Sequence, residues 1–193
     1  TQVKLVNGSG KLVTVYGKGN TVTVEKEQII KSIVVFNDDK QTASTLNLSG
    51  TADRISLKGE GLVNAEVKEN ARVDEVGFYG IGTYALTNRG TISHKTANVG
   101  NEHTILTLKA CNITIHNYGK IAAEKSDSGV WSYALLFYGG AKVNFYAYNG
   151  SSIEQGSYSP LAIKGGTTVA VHYQEGAKLI CQGVERTYQS AFN

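Results

Sequence analysis

Leu86-Thr87-Asn88-Arg89-Gly90-Thr91-Ile92 recurs as Ile115-His116-Asn117-Tyr118-Gly119-Lys120-Ile121. Two looser copies follow: Phe145 to Ile153, with Asn149-Gly150 at the turn, and Val171 to Leu179, with Gly176 at the turn. The four glycines lie 29 (119−90), 31 (150−119) and 26 (176−150) residues apart. Self-similarity at this period marks a repeat architecture, in which each unit covers its apolar face only against its neighbours. Such an array offers a long surface rather than one deep pocket.

Each unit opens with an alternating run: Tyr84-Ala85-Leu86-Thr87, Ile113-Thr114-Ile115-His116, Val143-Asn144-Phe145-Tyr146 or Val169-Ala170-Val171-His172. Period-two alternation sends successive side chains to opposite faces. Leu86, Ile115, Phe145 and Val171 are therefore expected to stack inside, and Thr87, His116, Tyr146 and His172 outside. A glycine turn follows, needed either for a positive φ or for a corner that a Cβ would obstruct. After it comes an apolar anchor, Ile92, Ile121, Ile153 or Leu179. A variable polar segment leads to a second apolar strand, Ile105 to Leu108, Ala134 to Phe137 or Leu161 to Ile163. Stacked parallel, these units make an all-β solenoid, a single-domain β-helix with turns of roughly 20–30 residues.

The first part of the chain uses the same alphabet less regularly. Val3 to Val6, Leu12 to Val15, Val22 to Val24, Leu46 to Leu48 and Ile55 to Leu57 alternate with polar residues between glycine-containing turns. Glu25 to Phe36 is the one candidate helix, and its β-branched stretch Ile33-Val34-Val35 argues for a strand instead. One domain is expected over residues 1–193, with a less regular part at 1–76, clear repeats at 77–182 and a tail at 183–193. Short strands at this spacing also suit an up-and-down sandwich.

Composition supports an ordered β chain. Among 193 residues are 22 Gly, 11 Tyr, one Pro, one Trp and no Met. Charged residues are 18%, below the usual quarter or so. Nineteen basic and sixteen acidic residues give a formal charge of +3, spread along the chain without a basic footprint for nucleic acid. No apolar run approaches the ~18 residues of a membrane-spanning helix. Starting at Thr1 without a methionine or signal-like segment, the chain reads as a mature product or an excised piece. Cys111 and Cys181 fall at least two turns apart, roughly 10 Å at ~4.8 Å per turn, beyond the ~7 Å limit for a disulfide. Two free, mostly buried thiols are expected. Two cysteines and four scattered histidines give no metal-ligand spacing, so neither a metal nor a cofactor is expected.

The pattern aliphatic-x-Asn-x-Gly-x-Ile, carried by Asn88 to Ile92 and Asn117 to Ile121, resembles the passenger β-helices of Gram-negative autotransporters. It is most similar to repetitive surface adhesins and vacuolating-toxin-like proteins, over roughly Gly77 to Gln182. That resemblance implies a right-handed parallel β-helix, export to the cell surface or medium, and a role in adhesion or host contact. Autotransporters also carry a C-terminal membrane barrel, and nothing in this sequence resembles one.

Candidate binding residues follow from the register. His116, Tyr146 and His172 share the outward column with Thr87, and Tyr118, Tyr148 and Tyr173 lie nearby in sequence. Such a stripe suits sugar rings or a protein partner, or serves simply as a ladder of β-formers. The variable segments His94 to His103 and Glu124 to Tyr133 are insertions of the kind that map to one face of a solenoid. Trp131 and Tyr133 are the candidate aromatic pair there. Catalysis would require clustered carboxylates. Asp38-Asp39 and Asp74-Glu75 are adjacent, so in strands they would point to opposite faces, and no nucleophile elbow is present. The expected role is non-enzymatic binding to a host or bacterial surface protein or glycan. The alternatives are a self-associating filament subunit and a β-helical polysaccharide lyase or glycosidase.

Overall fold

The structure, a computed structural model, describes residues 2–5, 11–94, 102–123, 132–155 and 161–186. Every regular element in them is a β-strand, and the chain passes back and forth between two sheets. Sheet A holds, in spatial order, β1 (Gln2–Leu5), β3 (Thr21–Val24), β5 (Ser44–Leu48), β7 (Leu62–Val67), β9 (Thr83–Asn88), β12 (Asn112–Asn117), β15 (Lys142–Ala147) and β18 (Thr168–Tyr173). Sheet B first receives single strands, β2 (Leu12–Tyr16), β4 (Ile29–Phe36), β6 (Thr51–Lys58) and β8 (Arg72–Phe78). After β9 each passage supplies two: β10 (Thr91–His94) and β11 (Glu102–Thr107), then β13 (Lys120–Ala123) and β14 (Ser132–Phe137). The last passages give β16 (Ser152–Gln155) and β17 (Leu161–Ile163), then β19 (Lys178–Cys181) and β20 (Val184–Arg186).

Neighbouring strands of sheet A are parallel throughout the described residues. That excludes the up-and-down sandwich, whose neighbours run antiparallel. Sheet B is parallel too, except where β19 turns back into β20. The hairpin turn there is Gln182-Gly183, with φ of 53° and 76°. Part of the expected tail, residues 184–186, is thus a strand. One strand of sheet A and the sheet B strands after it form a rung, and the rungs stack in a solenoid-like order.

Strand pairing tests the expected columns directly. Leu86 pairs with Ile115, Ile115 with Phe145 and Phe145 with Val171. The first three are at most 1% exposed, and Val171, on the last strand of the sheet, is half-buried. The same interior column continues back through Ala65, Leu46 and Val22, all buried. Thus the N-terminal part belongs to the same stack. Its rungs are shorter, with Thr45 and Asn64 paired 19 residues apart (64−45) against 29 for Thr83 and Asn112 (112−83). Glu25 to Gln28 form a turn closed by Gln28 N donating to Glu25 O at 3.0 Å, and β4 follows. The β-branched residues decide that segment, as their preference for a pleated surface predicts.

Two expectations need correction. Lys120 pairs with Ser152, so Gly119 is level with Ser151 and not with Gly150. The corner has grown from Tyr118-Gly119 to the four residues Tyr148 to Ser151, closed by Ser151 N donating to Tyr148 O at 3.0 Å. The anchor column of Ile92, Ile121, Ile153 and Leu179 survives this change. Secondly, Asp74 and Glu75 do not straddle the sheet. They lie between buried Val73 and Val76, two residues where alternation allows one, so the pleat is interrupted and the strand bends. Arg72 Nε reaches Asp74 at 3.4 Å, and Arg54 Nη2 reaches Glu75 at 3.0 Å. Lys31-Ser32 in β4 and Asp53-Arg54 in β6 repeat the bend at the same level.

Both cysteines are free. Burial pushes the Cys111 thiol up to about 11. Cys181 is half-buried, less enclosed than expected, and burial raises its pKa as well. Since the thiolate is the reactive form, a maleimide should modify Cys181 first in the folded protein and Cys111 only as the chain unfolds. Equal rates, followed by peptide mass spectrometry, would contradict this placement.

Candidate recognition surface

The outward column of sheet A is the one the alternation predicts. Thr87 pairs with His116, His116 with Tyr146, and Tyr146 with His172. The His116 and Tyr146 rings stack at 4.9 Å and 17°, and Tyr146 and His172 at 4.6 Å and 13°. These separations match the ~4.7–4.9 Å spacing of neighbouring strands. Parallel in-register pairing alone therefore brings the rings face to face.

A second column runs beside it at the corner. The Arg89 guanidinium lies 4.4 Å from the Tyr118 ring centre, and Tyr118 stacks on Tyr148 at 3.9 Å and 9°. Arg89 Nε also donates to Glu66 Oε1 at 3.2 Å. His116 Nδ1 and the Tyr148 hydroxyl are 2.8 Å apart, which joins the two columns. Tyr148 is raised above the ordinary phenol value, first by its hydrogen bond with the Tyr118 hydroxyl and then by burial. Arg89 and Tyr118 occupy the variable position of the two Asn-x-Gly copies, which was the available sequence signal for this column. The longer turn before Gly150 hid Tyr148's place in it. Tyr173 does not join, because it pairs with Ala147 and leaves Gln174 level with Tyr148.

Stacking decides what this surface can do. Ring faces inside both columns are occupied by other rings or by Arg89, so a partner meets hydroxyls, ring nitrogens and carbon edges. Sugar stacking on ring faces, one of the expected uses, has no free face between His116 and Tyr146 or between Tyr146 and His172. Only the end faces have no ring of their column against them: His116 toward Thr87, His172 away from Tyr146 and Tyr148 away from Tyr118. Edge-on contact favours directional hydrogen bonds over apolar stacking.

The other candidates lie elsewhere. Tyr133 is in β14 of sheet B, paired with His103 and half-buried, away from the ladder of sheet A. Trp131 lies outside the described residues. The excursions nevertheless have a definite origin. The first half of β8 pairs with β10 and its second half with β11. The chain between His94 and Glu102 is therefore inserted where earlier strands bend at Asp74-Glu75. Ala123 is level with His94, and Gln155 with Ala123, while Ser132 is level with Glu102. Successive rungs depart and return at one corner. Beneath it, Gln155 is 2% exposed, and its Oε1 accepts from Ala134 N at 2.8 Å.

Among the described residues no three His, Cys, Asp or Glu side chains gather as metal ligands, and no helix is long and apolar enough to cross a membrane. Comparison of the chain with protein-family models, curated proteins and solved structures finds no match.

Proposed function

We propose that this chain is a recognition domain, displayed on or secreted from a Gram-negative bacterium, that adheres to a protein or glycan on a host or neighbouring cell. In this reading it is a right-handed parallel β-helix of the autotransporter-passenger type, and no bond is made or broken. The right hand follows the strong preference of parallel crossovers. The observation that carries the reading is the double column of Arg89, Tyr118 and Tyr148 beside His116, Tyr146 and His172, whose polar edges form one continuous strip. A stacked strip is already ordered, so binding it costs little side-chain entropy. Excursions from the sheet B corner add variable contacts to the same rigid scaffold.

The test is binding of the intact chain to a glycan panel and to epithelial or bacterial cells, with Tyr146→Ala/His172→Ala as the comparison. Loss of ten-fold or more in affinity is expected, in line with truncation of central aromatic contacts. Unchanged binding by the folded double variant would remove the ladder from the reading. A second reading, self-association into a filament, is favoured by Ile163 and Tyr173, 46% and 47% exposed on the last strands of their sheets. Sedimentation separates the two, because a monomer at all concentrations contradicts assembly.

A further inference from the structure

We propose that Tyr118 and Tyr148 are an oxidative cross-linking site, at which a peroxidase-type one-electron oxidant joins the two rings and ties neighbouring rungs covalently. The inference stands on ring geometry and does not depend on the adhesive reading.

Three features converge on this pair. The rings are 3.9 Å apart and within 9° of parallel. Tyr118 and Tyr148 directly follow the paired residues Asn117 and Ala147, so the two side chains leave neighbouring rungs side by side and the stacked rings share one direction. The Tyr148 hydroxyl is 2.8 Å from His116 Nδ1, within reach for proton transfer. With its own proton on Nε2, the imidazole can take the phenol proton as the electron leaves. Tyr118 is 37% exposed, which gives an oxidant access, and Arg89 covers its other face. The other ring pairs between described residues offer a tyrosine only imidazole or phenylalanine: Tyr16 with Phe36, Tyr84 with Phe78, Tyr146 with His116 and His172, and Tyr148 with His116.

The chemistry balances as a two-electron oxidation. Each phenol loses one electron and its O–H proton, and the two phenoxyl radicals couple through their ortho carbons. The hydrogens on the joined carbons then move to the oxygens, which restores both aromatic rings. One hydrogen peroxide accepts the two electrons and two protons and becomes two waters. Both tyrosines follow a strand end, after Asn117 and Ala147, so the rings can swing to make the new bond coplanar with each.

The experiment treats the intact chain at low concentration with a haem peroxidase and hydrogen peroxide, then maps tryptic peptides by mass spectrometry. The expected product joins the peptide containing Tyr118 to the one containing Tyr148 within one chain, with the loss of two hydrogens and with dityrosine fluorescence. Y118F and Y148F should each abolish that bridge while retaining the circular dichroism of the folded chain. H116F keeps a ring on Tyr146 but removes the proton acceptor, and a several-fold lower yield is expected. Bridges confined to exposed Tyr16, Tyr138 or Tyr173, mostly between chains, would overturn the proposal. A bridge formed at an undiminished rate in H116F would overturn the part assigned to His116.

Discussion

Gly119→Ala should destabilise the protein by about 3–5 kcal/mol, at the severe end of single substitutions. A Cβ at residue 119 would stand 2.1 Å from the Gly90 carbonyl oxygen and 2.8 Å from the Arg89 carbonyl carbon. That oxygen cannot retreat freely, because it accepts from Lys120 N at 2.9 Å. The clash is therefore backbone against backbone, and relief would require the two rungs to separate. Gly90 meets the same crowding from Ala71 O and Lys68 O, each 2.4 Å from the Cβ position. Gly150 supplies the contrast. Its φ is +80°, and nothing lies within 4 Å of the Cβ position. Gly150→Ala should then cost only the ~1–2 kcal/mol of a left-handed residue with a side chain. Equilibrium urea unfolding of both variants tests the pair of values. Equal costs would mean that the rungs are farther apart at Gly119 than the structure has them.

Asn117→Ala is expected to cost about 2–4 kcal/mol. Asn117 and Asn88 are level, inward-facing and fully buried. Asn88 Nδ2 donates to Asn117 Oδ1 at 2.8 Å and to Lys120 O at 3.1 Å, and Asn117 Nδ2 donates to Ser152 O at 3.3 Å. These amides link three rungs at the corner where the backbone leaves sheet A. Truncation removes two hydrogen bonds whose partners remain, and an unsatisfied buried partner costs roughly 1–3 kcal/mol. The cavity left by the side chain adds to this. Asn112→Ala, at an exposed site on the same strand, should stay within ~0.5 kcal/mol of the parent. The same denaturation series checks it, and a near-neutral Asn117→Ala would refute the linking role.

The repeat Leu-x-Asn-x-Gly-x-Ile was legible because each of its positions answers to a local demand. Alternation assigns Leu86, Ile115 and Phe145 to the interior and His116 and Tyr146 to the outside without reference to any other rung. Where turn length varied, the sequence signal failed. Two added residues at Tyr148 to Ser151 displaced the glycine from its column and hid the stacking of Tyr148 on Tyr118. The bend at Asp74-Glu75 is hidden from the sequence for a related reason. An interrupted pleat leaves no local mark except two polar residues between two valines.

Sequence alone determined that the chain is built of short strands, which side chains face inward, and a period close to the observed rungs. These follow from side-chain alternation, β-branched preference and the glycine-marked corners, all acting within a few residues. Tertiary structure decided the rest: parallel pairing over the first residues as well as the last, one shared corner for the excursions, and the crowding at Gly119. It also turned the outward aromatics from free faces into stacked columns. Those outcomes depend on which residues, some 19 to 32 positions apart (64−45 and 152−120), come level across a strand spacing of about 4.8 Å. No local pattern specifies that distance, because it is set by the summed length of every turn between them.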